Sequence, residues 1–324
     1  MNKKQIDLKD KIFVAGHNGM AGKSIIKNLK AKGYKNIIYE DKSKLDLKDS
    51  DKVKKWFISN KPDIVIDAAA KVGGILANKK MPADFLFENL KIQLNLIENA
   101  WENNAKRLLF LGSSCIYPKF SKQPIKEEYL LEGQLEETNE SYAIAKIAGI
   151  KMCSSLRNQF GFDAISLMPT NLYGPGDNYH LENSHVLPAF IRRFHDAKVK
   201  NLKEVICWGS GLPLREFLHV DDLGDAAVFL LENWFPNKNE LNYINVGTGV
   251  DITIKELSEK ISEIMNYKGN IIWDESKPDG TFKKQLDVSR INRIGWESKI
   301  SLEDGLRDTI NNYVANLNKN NIRF

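Results

Sequence analysis

Residues 11–29 read KIFVAGHNGMAGKSIIKNL. The first five form a short apolar run bounded by charge and glycine, the pattern of a strand buried on both faces. Gly16, Gly19 and Gly22 follow at GxxGxxG spacing. Ile25, Ile26 and Leu29 then recur among lysines at helical spacing, and Gly33 offers a stop. Residues 36–39 (NIIY) read as a second strand. Glycines at this spacing let the chain turn tightly, approach a pyrophosphate and pack the helix close to the sheet, while the helix N-terminus offers free N–H groups. A glycine triplet alone says little. A strand before it and a helix after it make it a dinucleotide-binding expectation.

The same alternation continues outward. Residues 53–59 read as a helix and 63–70 (DIVIDAAA) as a strand. Helical spacing returns over 85–101, an apolar strand pattern over 107–112 (RLLFLG), a helix over 142–156 and a strand over 164–168. This predicts an α/β fold with a Rossmann-type, doubly wound parallel sheet. After Pro169 turn residues crowd together (PTNLYGPGDN, 169–178) and the alternation loosens. Helices are expected over 187–195, 222–232, 254–264 and 302–314, with strands over 204–208, 243–246 and 270–273. The expected division is a Rossmann domain over 1–173, also receiving about 217–248, and a smaller, partly discontinuous α/β lobe over 174–324.

Composition sets the bounds. Of 324 residues, 42% are apolar and 27% charged, which excludes disorder as the main state. No apolar run reaches the roughly 18 residues of a membrane span. The ten residues at the start are charged throughout and do not resemble a secretory signal. Lysine and arginine number 47 against 42 acids, interspersed rather than concentrated on one element. That argues against nucleic acid as a partner and suits an anionic small molecule. Cys115, Cys153 and Cys207 lie far apart, with no zinc spacing and no disulfide framework, so a reducing, cytoplasmic setting is expected. No two of His17, His180, His185, His195 and His219 sit at metal-ligand spacing, and no metal is expected.

Tyr142 and Lys146 are four residues apart on a predicted helix and share one face. An ammonium near a phenol lowers the phenol's pKa from about 10 and makes it a proton donor to a carbonyl under reduction. Ser113 sits just past the carboxyl end of the strand over 107–112, where ligands of open parallel sheets bind. The second strand ends in Tyr39-Glu40-Asp41-Lys42. An acid there favours the ribose diol of NAD, and a base favours the 2′-phosphate of NADP. Both are present, so local physics leaves the choice open. Asp46 fits an adenine contact or a plain turn carboxylate.

With the glycine turn, Ser113 and Tyr142/Lys146 in this order, the chain resembles the extended short-chain dehydrogenase/reductase superfamily. Longer strings resemble the GDP-L-fucose synthase family within it: AAAKVGGI (68–75), LFLGSSCIYPK (109–119), YAIAKIAGIK (142–151), MPTNLYGP (168–175), WGSG (208–211) and REFLHVDD (215–222). NVGTGV (245–250), KPDGT (277–281) and IGW (294–296) continue the match. The resemblance implies a GDP-linked 4-keto-6-deoxymannose, epimerised at C3 and C5 and then reduced at C4 by NADPH. It implies that Tyr142 protonates the C4 oxygen, Lys146 binds the nicotinamide ribose and Ser113 hydrogen-bonds the carbonyl. Cys115 and His185 take the acid and base roles of epimerisation. For the nucleotide it implies Arg193, Trp208, Arg215, Asp279 and Lys284, the cations pairing with the pyrophosphate. Arg193 and its neighbour Arg192 are hard to tell apart. For the cofactor it implies Gly16, Asn18, Gly19, Met20 and Gly22, then Lys42, Asp46, Leu47 and Ala69, then Lys146, Pro169, Asn171, Leu172 and His185.

The chain also departs from the family. Asn18 stands where an arginine often helps grip the 2′-phosphate, and Glu40 and Asp41 precede Lys42. NADP(H) is expected, with NAD(H) left open. A homodimer through the helices over 85–101 and 142–156 is implied by the family alone. Three rivals stand. A 4,6-dehydratase needs an acidic pair where this chain has Ser114 and Cys115. A C4 reductase of a GDP-4-keto-heptose, acting in surface-polysaccharide synthesis without epimerisation, would carry the same strings. A non-catalytic dinucleotide sensor would typically lose Tyr142 or Lys146.

Overall fold

The structure is a computed structural model and describes residues 5–180, 183–237, 240–277, 279–317, 319 and 322. The first four residues of the charged lead-in and Pro278 of the KPDGT string lie outside the described residues.

The first half alternates as expected. It runs β1 (Ile12–Ala15), α1 (Met20–Ala31), β2 (Ile37–Ile38), α2 (Ser50–Asn60), β3 (Ile64–Asp67), α3 (Ile75–Lys80) and α4 (Pro82–Glu102). Then come β4 (Arg107–Leu111), α5 (Glu140–Phe160), β5 (Ala164–Pro169), β6 (Asn171–Tyr173) and α6 (Val186–Val199). The rest is β7 (Glu204–Trp208), β8 (Leu214–His219), α7 (Val220–Asn233), β9 (Tyr243–Val246), β10 (Asp251–Thr253) and α8 (Ile254–Ile264). It ends with β11 (Asn270–Asp274), β12 (Lys283–Lys284), α9 (Ser289–Ile294) and α10 (Leu302–Leu317).

Six parallel strands form the main sheet in the order β2-β1-β3-β4-β5-β9. Strands β1, β3, β4, β5 and β9 are buried along their whole length. That explains their largely apolar runs, interrupted by the buried Asp67, Arg107, Ser166 and Asn245, because a sheet covered on both faces leaves no polar side. Ile25 and Leu29 of α1 pack with Leu223, Ala226 and Ala227 of α7 on one face of the sheet. Val53 and Phe57 of α2, Leu96 of α4 and Ile150 of α5 cover the other. The order turns back at β1, between β2 and β3, and a crevice opens there at the carboxyl ends of the strands.

A second assembly stands over that crevice. Strand β8 pairs with β6, β10 and β12, and β7 pairs with β11. A separate apolar core joins α6, α8 and α10 to β7. The register of β12 on β8 sets Lys284 beside Arg215. Two local expectations are corrected. Residues 68–70 of DIVIDAAA are not strand; β3 stops at Asp67 and the alanines form the rim of the crevice. The turn-rich stretch after Pro169 contains β6, held by β8.

Candidate active site

Gly16 takes a left-handed φ of 80°, and a Cβ there would lie 2.5 Å from the Ala68 carbonyl oxygen. Only glycine lets β1 turn so close to the end of β3. A Cβ on Gly22 would lie 2.2 Å from the Gly16 carbonyl oxygen, so this glycine seats α1 under the turn. Gly22 is absent from the cleft wall, and its role is packing rather than contact. Gly19 is the N-cap of α1, and it gives the helix no side-chain cap; the first turn holds no acid. The N–H groups at this end face a crevice and are free for a diphosphate. These features fit a dinucleotide.

Asn18 Nδ2 donates to Asp41 Oδ1 at 2.9 Å, and His17 Nε2 lies 3.3 Å from the same oxygen. His17 also stacks on Tyr39, with ring centroids 4.6 Å apart. The glycine turn therefore holds the Asp41 carboxylate. Glu40, Lys42, Asp46 and Leu47 line the cleft wall beside it.

The cleft has a volume of about 1310 Å³. Met20, Ala69, Pro169, Asn171 and Leu172 line it, as do Ser113, Cys115, Tyr142, Lys146 and His185. Arg193, Trp208, Arg215, Asp279 and Lys284 line the same cleft. Residues far apart in sequence thus share one space.

Ser113 follows β4 in extended conformation and its Oγ accepts from the Cys115 N–H at 3.3 Å. This cap starts a single turn over Ser114–Ile116 and sets Cys115 at the crevice. Tyr142 lies in the first turn of α5, with Ser113 the neighbour that favours its ionised form. One turn on, Lys146 Nζ donates to the Leu111 carbonyl at 2.7 Å and stands 4.6 Å from the Phe110 ring centre.

The expected lowering of the Tyr142 pKa by Lys146 is not found. Burial pushes the Tyr142 phenol well above its ordinary value, Cys115 adds to this, and Ser113 opposes it. The reason is geometric: the ammonium is tied back to the Leu111 carbonyl. Tyr142 thus keeps its proton firmly, which is the state a proton donor needs before transfer. Burial also pushes the Lys146 ammonium down, with Asp67 and then Cys115 opposing.

Burial raises the Cys115 thiol, and Lys284 is the largest influence opposing it. Burial lowers the His185 imidazole, and Lys284 lowers it further. His185 sits at the N-cap of α6 without making a cap hydrogen bond, so its side chain is not spent on the helix. Its loop docks on the AAAKVGGI segment: the Gly74 N–H donates to the Asn183 carbonyl at 2.9 Å, and a Cβ on Gly74 would lie 2.6 Å from the Ser184 oxygen.

At the other end, Arg193 stands 4.6 Å from the Trp208 ring centre, with Lys277 5.9 Å from it. Arg192 instead donates to the Tyr179 carbonyl at 2.7 Å, which separates it from Arg193. Asp279 accepts from the Ser210 N–H at 3.0 Å and hydroxyl at 2.6 Å, so this carboxylate holds the WGSG turn. Lys284 lines the same cleft as Arg193 and Arg215, and its charge lowers both the Cys115 thiol and the His185 imidazole. Sequence reasoning missed Glu136, whose Oε2 lies 3.3 Å from Lys119 Nζ and accepts from Thr281 Oγ1 at 3.2 Å. It also missed Asp67. Neither sits in a recognisable motif.

A profile of the NAD dependent epimerase/dehydratase family matches residues 12–247. The putative GDP-L-fucose synthase 2 of Arabidopsis thaliana is 56% identical over 95% of this chain and 92% of its own. The GDP-L-fucose synthase of Escherichia coli K12 is 51% identical over 95% of this chain and 98% of its own. Among solved structures, a GDP-mannoheptose C4 reductase from Campylobacter jejuni with NADP bound superposes with a TM-score of 0.86 at 37% identity, covering 95% of this chain and 99% of that one. The chain therefore belongs to the NAD dependent epimerase/dehydratase family and, within it, to the GDP-L-fucose synthases.

Proposed function

We propose that the chain turns a GDP-linked 4-keto-6-deoxymannose into GDP-L-fucose, by epimerisation at C3 and C5 and NADPH-dependent reduction at C4. The observation that carries this reading is the meeting of Ser113, Cys115, Tyr142, His185 and Lys284 on one cleft wall system. A plain C4 reductase needs the tyrosine and serine. A thiol and an imidazole on the same cleft add the acid and the base that epimerisation needs, and deuterium incorporation separates the two reactions.

The ketone at C4 acidifies the C–H bonds at C3 and C5. Inversion needs a group that takes a proton and another that returns one on the opposite face. Cys115 comes from the end of β4 and His185 from the start of α6, so they approach from different elements. Burial favours the neutral form of both. Together they hold one proton to give and one lone pair to accept one. For reduction, Tyr142 donates its proton to the C4 oxygen while Ser113 hydrogen-bonds the same oxygen, and the Lys146 charge stabilises the phenolate that forms. The bound dinucleotide supplies the hydride.

NADP(H) is the proposed cofactor. The Asp41 carboxylate is engaged by Asn18, which leaves Lys42 to meet a 2′-phosphate. The dinucleotide is assigned to residues 1–173 with about 217–248, and the sugar nucleotide to the remainder of 174–324. Arg193 and Arg215 suit its phosphates, and Trp208 offers a flat face for the base. A homodimer through α4 and α5 is supported by exposed Phe87, Leu94 and Ile144 on those helices. The heptose reading has less behind it, at 37% identity against 56%. Among the described residues no helix is long and apolar enough to cross a membrane. A reducing, cytoplasmic setting suits the three free cysteines.

Mass spectrometry of the product formed in deuterated water with NADPH tests this reading. Deuterium at both C3 and C5 of a reduced deoxyhexose is expected. Reduction without deuterium would leave a C4 reductase, and turnover of the 4-keto-heptose alone would move the assignment to that substrate.

A further inference from the structure

Asp67 is the last residue of β3 and has no exposed surface. It follows Ile64, Val65 and Ile66 in a strand that an apolar residue would complete. One oxygen, Oδ1, accepts from the Ala69 N–H at 3.1 Å. The other, Oδ2, has no hydrogen-bond partner. A buried carboxylate left half satisfied is costly, and such a residue calls for a reason.

The sheet register supplies one. Asp67 lies opposite Phe110 of β4, and paired residues point to the same side of a sheet. Lys146 Nζ stands over that same Phe110 ring and is itself buried. Carboxylate and ammonium therefore flank one aromatic side chain beneath the cleft. Lys146 is the charged group that faces Asp67, and Asp67 the largest influence keeping the buried ammonium charged. The other titratable groups at hand are Cys153, which faces Asp67 from α5, and Cys115, which faces Lys146. Both are thiols whose protonated form burial favours.

We propose that Asp67 is a positioning residue: a buried counter-charge that keeps Lys146 protonated without bonding to it. The missing direct bond matters. Lys146 gives one of its three N–H groups to the Leu111 carbonyl. A salt bridge to Asp67 would take a second, whereas a charge acting through space leaves both others for a ligand. Asp67 also fixes the Ala69 N–H at the cleft rim, so one side chain supports the lysine and the adjoining loop. The inference rests on the proposed function only in giving Lys146 a cofactor contact.

The test is NADPH binding by fluorescence from pH 6 to 10, with the full chain and its Asp67→Asn and Asp67→Leu variants. Binding needs no sugar, so failure of the proposed substrate leaves this test standing. Without the counter-charge the Lys146 pKa falls, and the alkaline limb of binding moves down by about one pH unit or more. At pH 9 the variants should bind about five- to tenfold more weakly than the parent, and within about twofold at pH 7. An unmoved alkaline limb in either folded variant would overturn the proposal, and so would an equal loss at every pH. If neither variant folds, NMR of ¹³Cε-labelled lysine in the parent chain decides, with Lys146 assigned by Lys146→Arg. A Lys146 still charged at pH 8 supports the counter-charge, and one already neutral there overturns it.

Discussion

Tyr142 is pushed toward its neutral form by burial, and this divides the two half-reactions. Replacing it with phenylalanine removes a proton donor and leaves Cys115 and His185 in place. Reduction by Tyr142→Phe should fall about 10²–10⁴-fold, while deuterium exchange into the ketosugar continues. An equal loss of both would mean that the phenol also serves the epimerisation. Lys284 acts on the other pair. It opposes the burial of the Cys115 thiol and adds to the lowering of the His185 imidazole. In Lys284→Met both pKa values should rise, and alkylation of Cys115 by iodoacetamide should need a higher pH. Lys284→Arg should restore the parent profile; an unshifted alkylation profile in the methionine variant would leave Lys284 as a phosphate ligand only. Asp67 carries a stability consequence of its own. Its carboxyl stands at about 6 in the fold against an ordinary 3.8. The folded state therefore holds the proton more readily, and the cost of the buried charge grows as pH rises through this window and is full above it. Between pH 4 and pH 8 the parent should therefore lose about 1–2 kcal/mol more in urea unfolding than Asp67→Leu does, apart from what the variant loses at every pH by leaving Lys146 without its counter-charge.

At the scale of elements, α5 shows how closely the site is bound to its scaffold. Gly149 lies one turn beyond Lys146, and a Cβ there would be 2.4 Å from the tip of the Phe110 ring. That ring is the floor under the Lys146 ammonium. Gly149→Ala should cost about 1–3 kcal/mol by overpacking and should shift the ring. Reductase turnover should fall although no substituted atom reaches the cleft; an unchanged rate in a destabilised protein would show that the floor tolerates the shift. The same elements explain what was legible beforehand. Strands β1, β3, β4, β5 and β9 are buried end to end, and burial writes itself as an apolar run. Helix α8 spans the expected 254–264, and the structure shows a Thr253–Glu256 capping box fixing its start. Strand β8 was not readable: LREFLH mixes charge with apolar residues because Arg215 faces a cleft and Glu216 is buried in hydrogen bonds. Strand β12 is two lysines and exists only through its pairing with β8. Cys115 and His185 lie 70 positions apart by their numbering, and no local pattern joins them. Their roles follow from the family resemblance, whereas the glycine turn and the Tyr142/Lys146 spacing carry their own physical meaning.

At the scale of the whole molecule the question is what fixes the second assembly over the sheet, since the cleft exists only between them. Glu216 is at the joint. Its side chain is fully buried and accepts from the Thr248 N–H at 2.6 Å, the Gly249 N–H at 2.9 Å and the Leu286 N–H at 2.7 Å. Its carbonyl accepts from Thr170 Oγ1 at 3.2 Å and Asn171 Nδ2 at 2.8 Å. One residue thus binds β8 to the loop after β9, to the segment after β12 and to the chain leaving β5. Gly247 permits this, because a Cβ there would lie 2.1 Å from Glu216 Oε1. Arg215 is the next residue along β8, and Lys284 is its partner in register. Glu216→Ala would leave three N–H groups without their acceptor, and each buried unsatisfied donor costs about 1–3 kcal/mol. The expected loss is about 3–5 kcal/mol in chemical denaturation, reduced where water enters the space left behind. Because Arg215 and Lys284 hang on the same strands, the KM for the sugar nucleotide should rise several-fold, while the NADPH dissociation constant stays within about twofold. If both ligands weakened together, Glu216 would be supporting the entire fold and the two sites could not be treated as separately held.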